Sequence, residues 1–243
     1  MKYISFANRV LETILFEILI VIVDLSGSMK TRDWKPSRKA GAIEANKELI
    51  RVKTQHYPKD AVGIIGFGTD AEILHEPVQL AKGAESLYKA LRRLPDMGYT
   101  NFTAALKLAE ACLFGKPTST TKTVASRKVT AFLSWLLYDK PHQPSHHIAE
   151  SLSSDNCLRR IIMLTDGGYN EGGSPFKVAE RLKGGGVIID CIGIGRREDI
   201  DEKAMKQIAS RNPDDGSIRY CWIGDQRKLI KKYESLAHHI RPA

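Results

Sequence analysis

Residues 17–28 read EILIVIVDLSGS, in which the most apolar run of the chain, residues 18–23, ends at Asp24. A run that is hydrophobic throughout, rather than at alternate positions, is typical of a strand buried on both faces. Similar runs follow at residues 60–67, 160–165 and 187–194, with a shorter one at 219–223. Longer helix-like segments separate these runs, and this alternation predicts a parallel sheet covered by helices on both faces.

One further strand is expected at the edge of this sheet. Residues 71–78 follow the second run after only Gly68-Thr69-Asp70, a spacing short enough for a hairpin, so this strand should be antiparallel. The predicted fold class is therefore α/β: three layers, with a mostly parallel six-stranded sheet, one antiparallel edge strand and helices on both faces. The helices are expected over residues 34–56, 83–94, 101–114, 174–183, 200–210 and 225–240.

The composition is that of an ordinary globular protein. The chain has 243 residues, of which 42% are hydrophobic and 27% are charged, and this excludes collagen-like and wholly disordered classes. It has no apolar stretch near the ~20 residues that cross a membrane, and Arg9 and Glu12 interrupt any signal-peptide core. The four cysteines form no CxxC pair. We therefore expect reduced thiols and a cytoplasmic location.

The formal net charge is +9, and the basic excess is concentrated in parts of the chain. Residues 30–60 hold nine basic and four acidic side chains. Such an excess is compatible with nucleic-acid binding. Lysine and arginine spread over helix faces are more often solvated surface, however, and we interpret these residues in that way.

Residues 115–156 do not fit the alternation of strands and helices. They are far longer than a usual connection, and apolar residues at helical spacing in their middle predict an insertion with one amphipathic helix. This helix either packs on its own domain or docks a partner. His142, His146 and His147 lie near Cys157, but without a second cysteine pair a zinc site is the weaker interpretation.

The residues that carry chemistry follow the first strand. Asp24, Ser26 and Ser28 stand at i, i+2 and i+4 of an extended segment, so their side chains project to one side. One carboxylate and two hydroxyls are hard oxygen ligands that suit Mg²⁺ or Mn²⁺. Ligands of open α/β sheets bind at the carboxyl ends of the strands, and this motif is placed at such an end.

Two more segments supply matching oxygens, Thr100 before a helix and the Thr165-Asp166-Gly167 turn after a strand. Together with the DxSxS of residues 24–28, they resemble the metal-ion-dependent adhesion site (MIDAS) of von Willebrand factor type A (vWA) domains. The GFGTDAEI of residues 66–73 and the GIG of residues 193–195 are also similar to that family. The resemblance implies a Rossmann-like vWA fold, in a single domain over residues 1–243 whose core is about 14–114 and 157–240.

The resemblance also implies a function. Ser26, Ser28 and either Thr100 or Asp166 would bind the ion directly, and Asp24 would do so directly or through water. The expected ion is Mg²⁺, with Mn²⁺ or Ca²⁺ as alternatives. Neutral hydroxyls leave ion charge uncompensated and octahedral Mg²⁺ keeps places for water, so an Asp or Glu of a protein partner would complete the site.

Stand-alone bacterial vWA proteins associated with AAA ATPases or stress-resistance systems are the members that the chain resembles, which suggests such an assembly as partner. In adhesion-type members, ligation would shift the ion toward Thr100 and away from Asp166, and would move the final helix.

Other functions remain as alternatives. A metal-dependent phosphoester hydrolase is one, but no histidine or further carboxylate pair is expected at a strand end to act as general base, so we expect no enzyme. Nucleic-acid binding through the basic surface is another. The sequence contains no P-loop, and its GIG lacks the third glycine of a dinucleotide fingerprint.

Overall fold

A computed structural model describes residues 16–114 and 157–238. Its elements follow one another as β1 (Phe16–Asp24), α1 (Arg38–His56), β2 (Ala61–Phe67), β3 (Ala71–Gln79), α2 (Leu80–Leu91), α3 (Phe102–Phe114), β4 (Cys157–Thr165), α4 (Phe176–Gly184), β5 (Val187–Ile194), α5 (Glu202–Ile208), β6 (Tyr220–Ile223) and α6 (Gln226–Leu236). The predicted insertion over 115–156, its helix and its three histidines lie outside the described residues.

The six strands form one sheet in the order β3-β2-β1-β4-β5-β6. β3 is antiparallel to β2, and every other neighbouring pair is parallel. The hairpin between β2 and β3 closes through a hydrogen bond from Gly68 N to Asp70 O at 2.8 Å. The predicted α/β fold with one antiparallel edge strand is thus confirmed.

The alternation of side chains along β1 divides the core into two halves. Ile18, Ile20 and Ile22 pack on one face, against the buried sides of α3, α4 and α5. Leu19, Val21 and Val23 pack on the other face, against α1, α2 and α6. Every residue of β1 is buried, which explains why the strand is hydrophobic throughout.

Some helix boundaries differ from the predicted ones. α1 begins at Arg38 rather than at residue 34, because the Ser37 side chain accepts a hydrogen bond from Ala40 N and caps the helix. Trp34 lies before the helix and is buried in the core. α2 begins three residues early, at Leu80. α5 begins at Glu202 rather than at residue 200, because the side chain of Asp201 accepts a hydrogen bond from Ala204 N and caps the helix. α6 starts after Asp225, whose side chain accepts from Lys228 N.

Other expectations concern the cysteines and the membrane. All four cysteines are free thiols, as the sequence predicts. Within the described parts of the chain, no helix has both the length and the hydropathy needed to cross a bilayer.

Candidate metal centre

The candidate site lies where the order of the strands reverses. From β1 the chain continues to β2 on one side, whereas β4 pairs with β1 on the other side and leads to β5. Loops that leave two adjacent strands in opposite directions open a crevice at their carboxyl ends. Asp24 ends β1 and Asp166 follows β4 directly, so both carboxylates belong to this crevice.

Asp24 is fully buried and is held by two hydrogen bonds. Its Oδ1 accepts from Ser26 N at 2.8 Å, and its Oδ2 accepts from Thr165 Oγ1 at 2.6 Å. Burial raises the pKa of Asp24 to about 6, and the nearby charge of Asp166 adds to the increase. An ionised carboxylate in this position is therefore stabilised by any cation that enters the crevice.

The two serines connect Asp24 to Asp166. Ser26 Oγ and Ser28 Oγ lie 3.0 Å apart, and Ser28 Oγ donates to Asp166 Oδ1 at 2.6 Å. Ser26 is buried, whereas Ser28 is exposed. A Cβ added to Gly167 would meet no atom within 4 Å. The cluster is thus anchored in the core and open to solvent on one side.

Hydrogen bonds from the backbone and from the side chain of Asn170 place Thr100 between the other two loops. Gly27 N donates to Gly98 O at 3.1 Å, which joins this loop to the one after β1. Thr100 N donates to Asn170 Oδ1 at 2.9 Å and Thr100 O accepts from Asn170 N at 3.0 Å, which join it to the loop after β4. Thr100 is 5% exposed. The structure thus brings Thr100 into the same loop cluster as the other four predicted residues.

The sequence interpretation missed one buried residue of the site, Arg38. Its Nη1 donates to Asp166 Oδ2 at 2.9 Å, and its Nε and Nη2 donate to Asp33. This pairing raises the pKa of Arg38 and lowers that of Asp33. Burial, as the main cause, still raises the pKa of Asp166.

The interpretation of residues 30–60 as a solvated basic surface is wrong for two of their nine basic residues. Arg38 is 2% exposed and Lys53 is fully buried, and both are paired with carboxylates. These charges are therefore not available to a polyanion. The sequence signal for the pairing is weak, because Asp166 lies 128 residues from Arg38.

The donor set fits a hard divalent cation. Asp24, Asp166 and the serines present carboxylate and hydroxyl oxygens, which Mg²⁺ and Mn²⁺ prefer. Among the described residues, no cluster of three or more His, Cys, Asp or Glu side chains is suited to a metal. An ion at this site would therefore depend on the hydroxyl groups, and its charge would be only partly neutralised.

Ion affinity should depend on pH through Asp24. Its carboxylate must be ionised to bind a cation, and its pKa in the ion-free protein is about 6. We expect the Mg²⁺ affinity to fall about tenfold between pH 7.5 and pH 5 as this group takes up a proton. Calorimetry at both pH values and constant ionic strength measures the change. An affinity that is equal at both would show that Asp24 does not contribute a charge to the ion.

Two family models, both described as von Willebrand factor type A domain, match the chain over residues 19–132 and 145–220. With the sheet and helices described above, these matches show that the chain belongs to the vWA domain family. A search of curated protein sequences finds no match.

Solved structures of vWA proteins share the fold. A von Willebrand factor type A protein from Catenulispora acidiphila is 18% identical, with a TM-score of 0.61, over 91% of this chain and 41% of that one. Proximal thread matrix protein 1 of the mussel byssus was solved with a zinc-occupied MIDAS motif. It is 18% identical, with a TM-score of 0.58, and the match covers 91% of this chain and 48% of that protein. The VWA domain of SpRpn10 is 17% identical, with a TM-score of 0.56, and the match covers 89% of this chain and 92% of that domain. The chain thus spans less than half the length of the first two proteins, and at these identities the likeness concerns the fold.

Proposed function

We propose that the chain is a metal-dependent protein-interaction module whose MIDAS consists of Asp24, Ser26, Ser28, Thr100 and Asp166. The observation that carries this proposal is the hydrogen-bonded cluster of Asp24, Ser26, Ser28 and Asp166 in the crevice between β1 and β4. The related mussel protein has a zinc-occupied MIDAS motif, which supports a divalent ion in this fold. For this chain we propose Mg²⁺, because the donors are all hard oxygens.

The ligand chemistry follows from the charge of the site. Two carboxylates surround the proposed ion, one of them is already paired with Arg38, and the remaining ligands are neutral hydroxyls. An octahedral Mg²⁺ in such a site keeps water molecules that a stronger ligand can replace. A carboxylate of a protein partner supplies both a ligand oxygen and the missing negative charge. The partner therefore presents an Asp or Glu, and an AAA ATPase or a stress-resistance complex is the kind of assembly we propose.

The surface beside the site suits recognition of a protein. Tyr99 directly precedes Thr100 and is 61% exposed. Tyrosine is enriched at protein interfaces relative to the rest of the protein surface. We propose that Tyr99 contacts the partner beside the acidic residue that reaches the ion.

We propose no enzymatic activity for this site. The loops at residues 24–30, 97–101 and 165–170 contain no histidine, and both carboxylates accept hydrogen bonds from neighbouring groups. We assign both carboxylates to the proposed ion rather than to proton transfer, and these loops supply no histidine as an alternative general base.

Capture of a partner with and without EDTA tests the proposal. Immobilised wild-type protein should retain its partner in Mg²⁺ and lose at least about 90% of it in EDTA at constant ionic strength, because the ion bridges the two proteins. Thr100→Val replaces only a hydroxyl with a methyl group and should abolish retention, whereas Arg51→Ala, at an exposed position on α1, should not. Substituting the partner's interface Asp and Glu one at a time should identify a single essential residue.

Three outcomes would contradict the proposal. Retention that survives EDTA but falls steeply with salt would indicate nucleic-acid or general electrostatic binding instead. If every acidic substitution in the partner leaves retention unchanged, the carboxylate mechanism is wrong. Phosphoester hydrolysis that is lost in the Asp24→Asn variant would make the site an enzyme.

A further inference from the structure

The ion site contains a buried arginine. Arg38, the first residue of α1, is 2% exposed, and its Nη1 lies 2.9 Å from Oδ2 of Asp166, which is 1% exposed. On its other side, Nε and Nη2 donate to the carboxylate of Asp33 at 2.6–3.0 Å. The guanidinium therefore lies between the buried carboxylate of Asp166 and the carboxylate of Asp33, which is exposed at the surface, and both fix its orientation.

The end of β5 is shaped around this guanidinium. Gly195 has φ +83°, and a Cβ at this position would lie 2.4 Å from Arg38 Cζ. The carbonyl oxygen of Gly195 accepts from Trp222 Nε1 at 3.1 Å, which fixes the backbone there. A side chain at residue 195 would therefore displace Arg38, so the contact between Arg38 and Asp166 depends on the glycine that directly follows β5.

This contact determines how much negative charge Asp166 offers to an ion. Its Oδ1 accepts from Ser28 and its Oδ2 from Arg38, so the charge of the carboxylate is already partly neutralised by a cation. Coulombic attraction between Asp166 and a divalent ion is offset by repulsion from the guanidinium, and both act in a buried environment where screening is weak.

We propose that Arg38 is an internal counter-cation that sets the ion affinity of the site. It neutralises Asp166 when no ion is bound, and it keeps divalent affinity below the value that two unpaired carboxylates would give. An ion bound at the site then keeps more uncompensated positive charge, which a carboxylate of the partner would neutralise. This inference rests on the proposed function, because it concerns the same ion.

Calorimetric titration with MgCl₂ and MnCl₂ tests the proposal through two variants with opposite expected effects. Arg38→Met removes the positive charge and should raise affinity about tenfold or more, since repulsion of the ion is lost. Asp33→Asn removes a negative charge on the far side of the guanidinium and should lower affinity a few-fold. If Arg38 served only to position Asp166, both substitutions would lower affinity.

Arg160→Met is the matched control. Arg160 is also a buried arginine paired with an aspartate, Asp190, at 2.7 Å, but Asp190 lies outside the ion site. Loss of the Arg160 guanidinium should lower the free energy of unfolding and leave the ion affinity of the site unchanged. If Arg38→Met is unfolded without ion, the Mg²⁺ concentration that folds it gives the affinity by mass action.

The outcomes separate this proposal from the function on which it rests. Unchanged or weaker ion binding by Arg38→Met, or failure of this variant to fold in millimolar Mg²⁺, overturns the role of Arg38 alone. A wild-type protein that binds neither ion overturns the proposed metal site itself.

Discussion

Substitution of Asp24 by asparagine should reduce Mg²⁺ affinity roughly 100-fold or more, because it removes one full charge beside a divalent ion in a buried site. The fold should survive. Oδ1 of the new amide can still accept from Ser26 N, and the Thr165 hydroxyl, which donates to Asp24 Oδ2, can rotate to accept from the amide.

The stability of the ion-free variant should equal or exceed that of the wild type. Burial raises the pKa of Asp24 from 3.8 to about 6, so above pH 6 the ionised group opposes folding. For a shift of that size the cost is about 3 kcal/mol at neutral pH, and it disappears as the pH falls toward 4. The asparagine carries no such cost.

Calorimetry and thermal unfolding at pH 7.5 check both parts of this prediction. Asp215→Asn is the matched control, because Asp215 is an exposed turn residue and its loss should alter neither quantity. Mg²⁺ affinity within a few-fold of wild type in Asp24→Asn would remove Asp24 from the site.

Of these single substitutions, Lys53→Met should lower the free energy of unfolding most. Lys53 Nζ donates to Glu17 Oε2 at 2.8 Å and to Asp60 Oδ2 at 2.6 Å, and all three side chains are at most 1% exposed. Methionine would leave two buried carboxylates without this cation, and breaking a buried ion pair in this way costs about 3–5 kcal/mol. That is a large part of the 5–15 kcal/mol that stabilises a typical domain.

Urea unfolding of Lys53→Met measures this loss, and Arg51→Met is its control. Arg51 pairs with Glu48 on the exposed side of α1, and an exposed pair of this kind contributes less than about 1 kcal/mol. Ion affinity should be unchanged, since Glu17 lies seven residues from Asp24 along β1, about 23 Å in a strand. If Lys53→Met lowers the free energy of unfolding by less than about 1 kcal/mol, the carboxylates of Glu17 and Asp60 must be neutralised in another way.

The strands and the hairpin could be predicted from local sequence. Residues 187–194 match β5 to the residue, because a strand buried on both faces must be apolar along its whole length. The first residue of α1 was harder to predict from the sequence. A helix beginning near Pro36 is as compatible with local propensity as one capped by Ser37, and the burial of Trp34 before the helix is a tertiary effect.

The site could be predicted only in part, for a related reason. Asp24, Ser26 and Ser28 share one short segment, so their proximity in the chain brings them together. The extended backbone that we expected there is wrong for Ser28, because residues Gly27–Lys30 form a 3-10 helix. The contact of Arg38 with Asp166 and that of Lys53 with Glu17 join residues 128 and 36 positions apart. No local sequence pattern distinguishes a buried basic side chain of this kind from a solvated basic side chain on the same helix.

The loops after β1, before α3 and after β4 should together bind one divalent ion. Anomalous diffraction from crystals grown in millimolar Mn²⁺ tests this binding most directly. We expect a single strong peak within coordination distance of the hydroxyl oxygens of Ser26 and Ser28, absent from crystals of Asp24→Asn. A peak elsewhere in the chain, or no peak at this site in crystals of the wild-type protein, would contradict it.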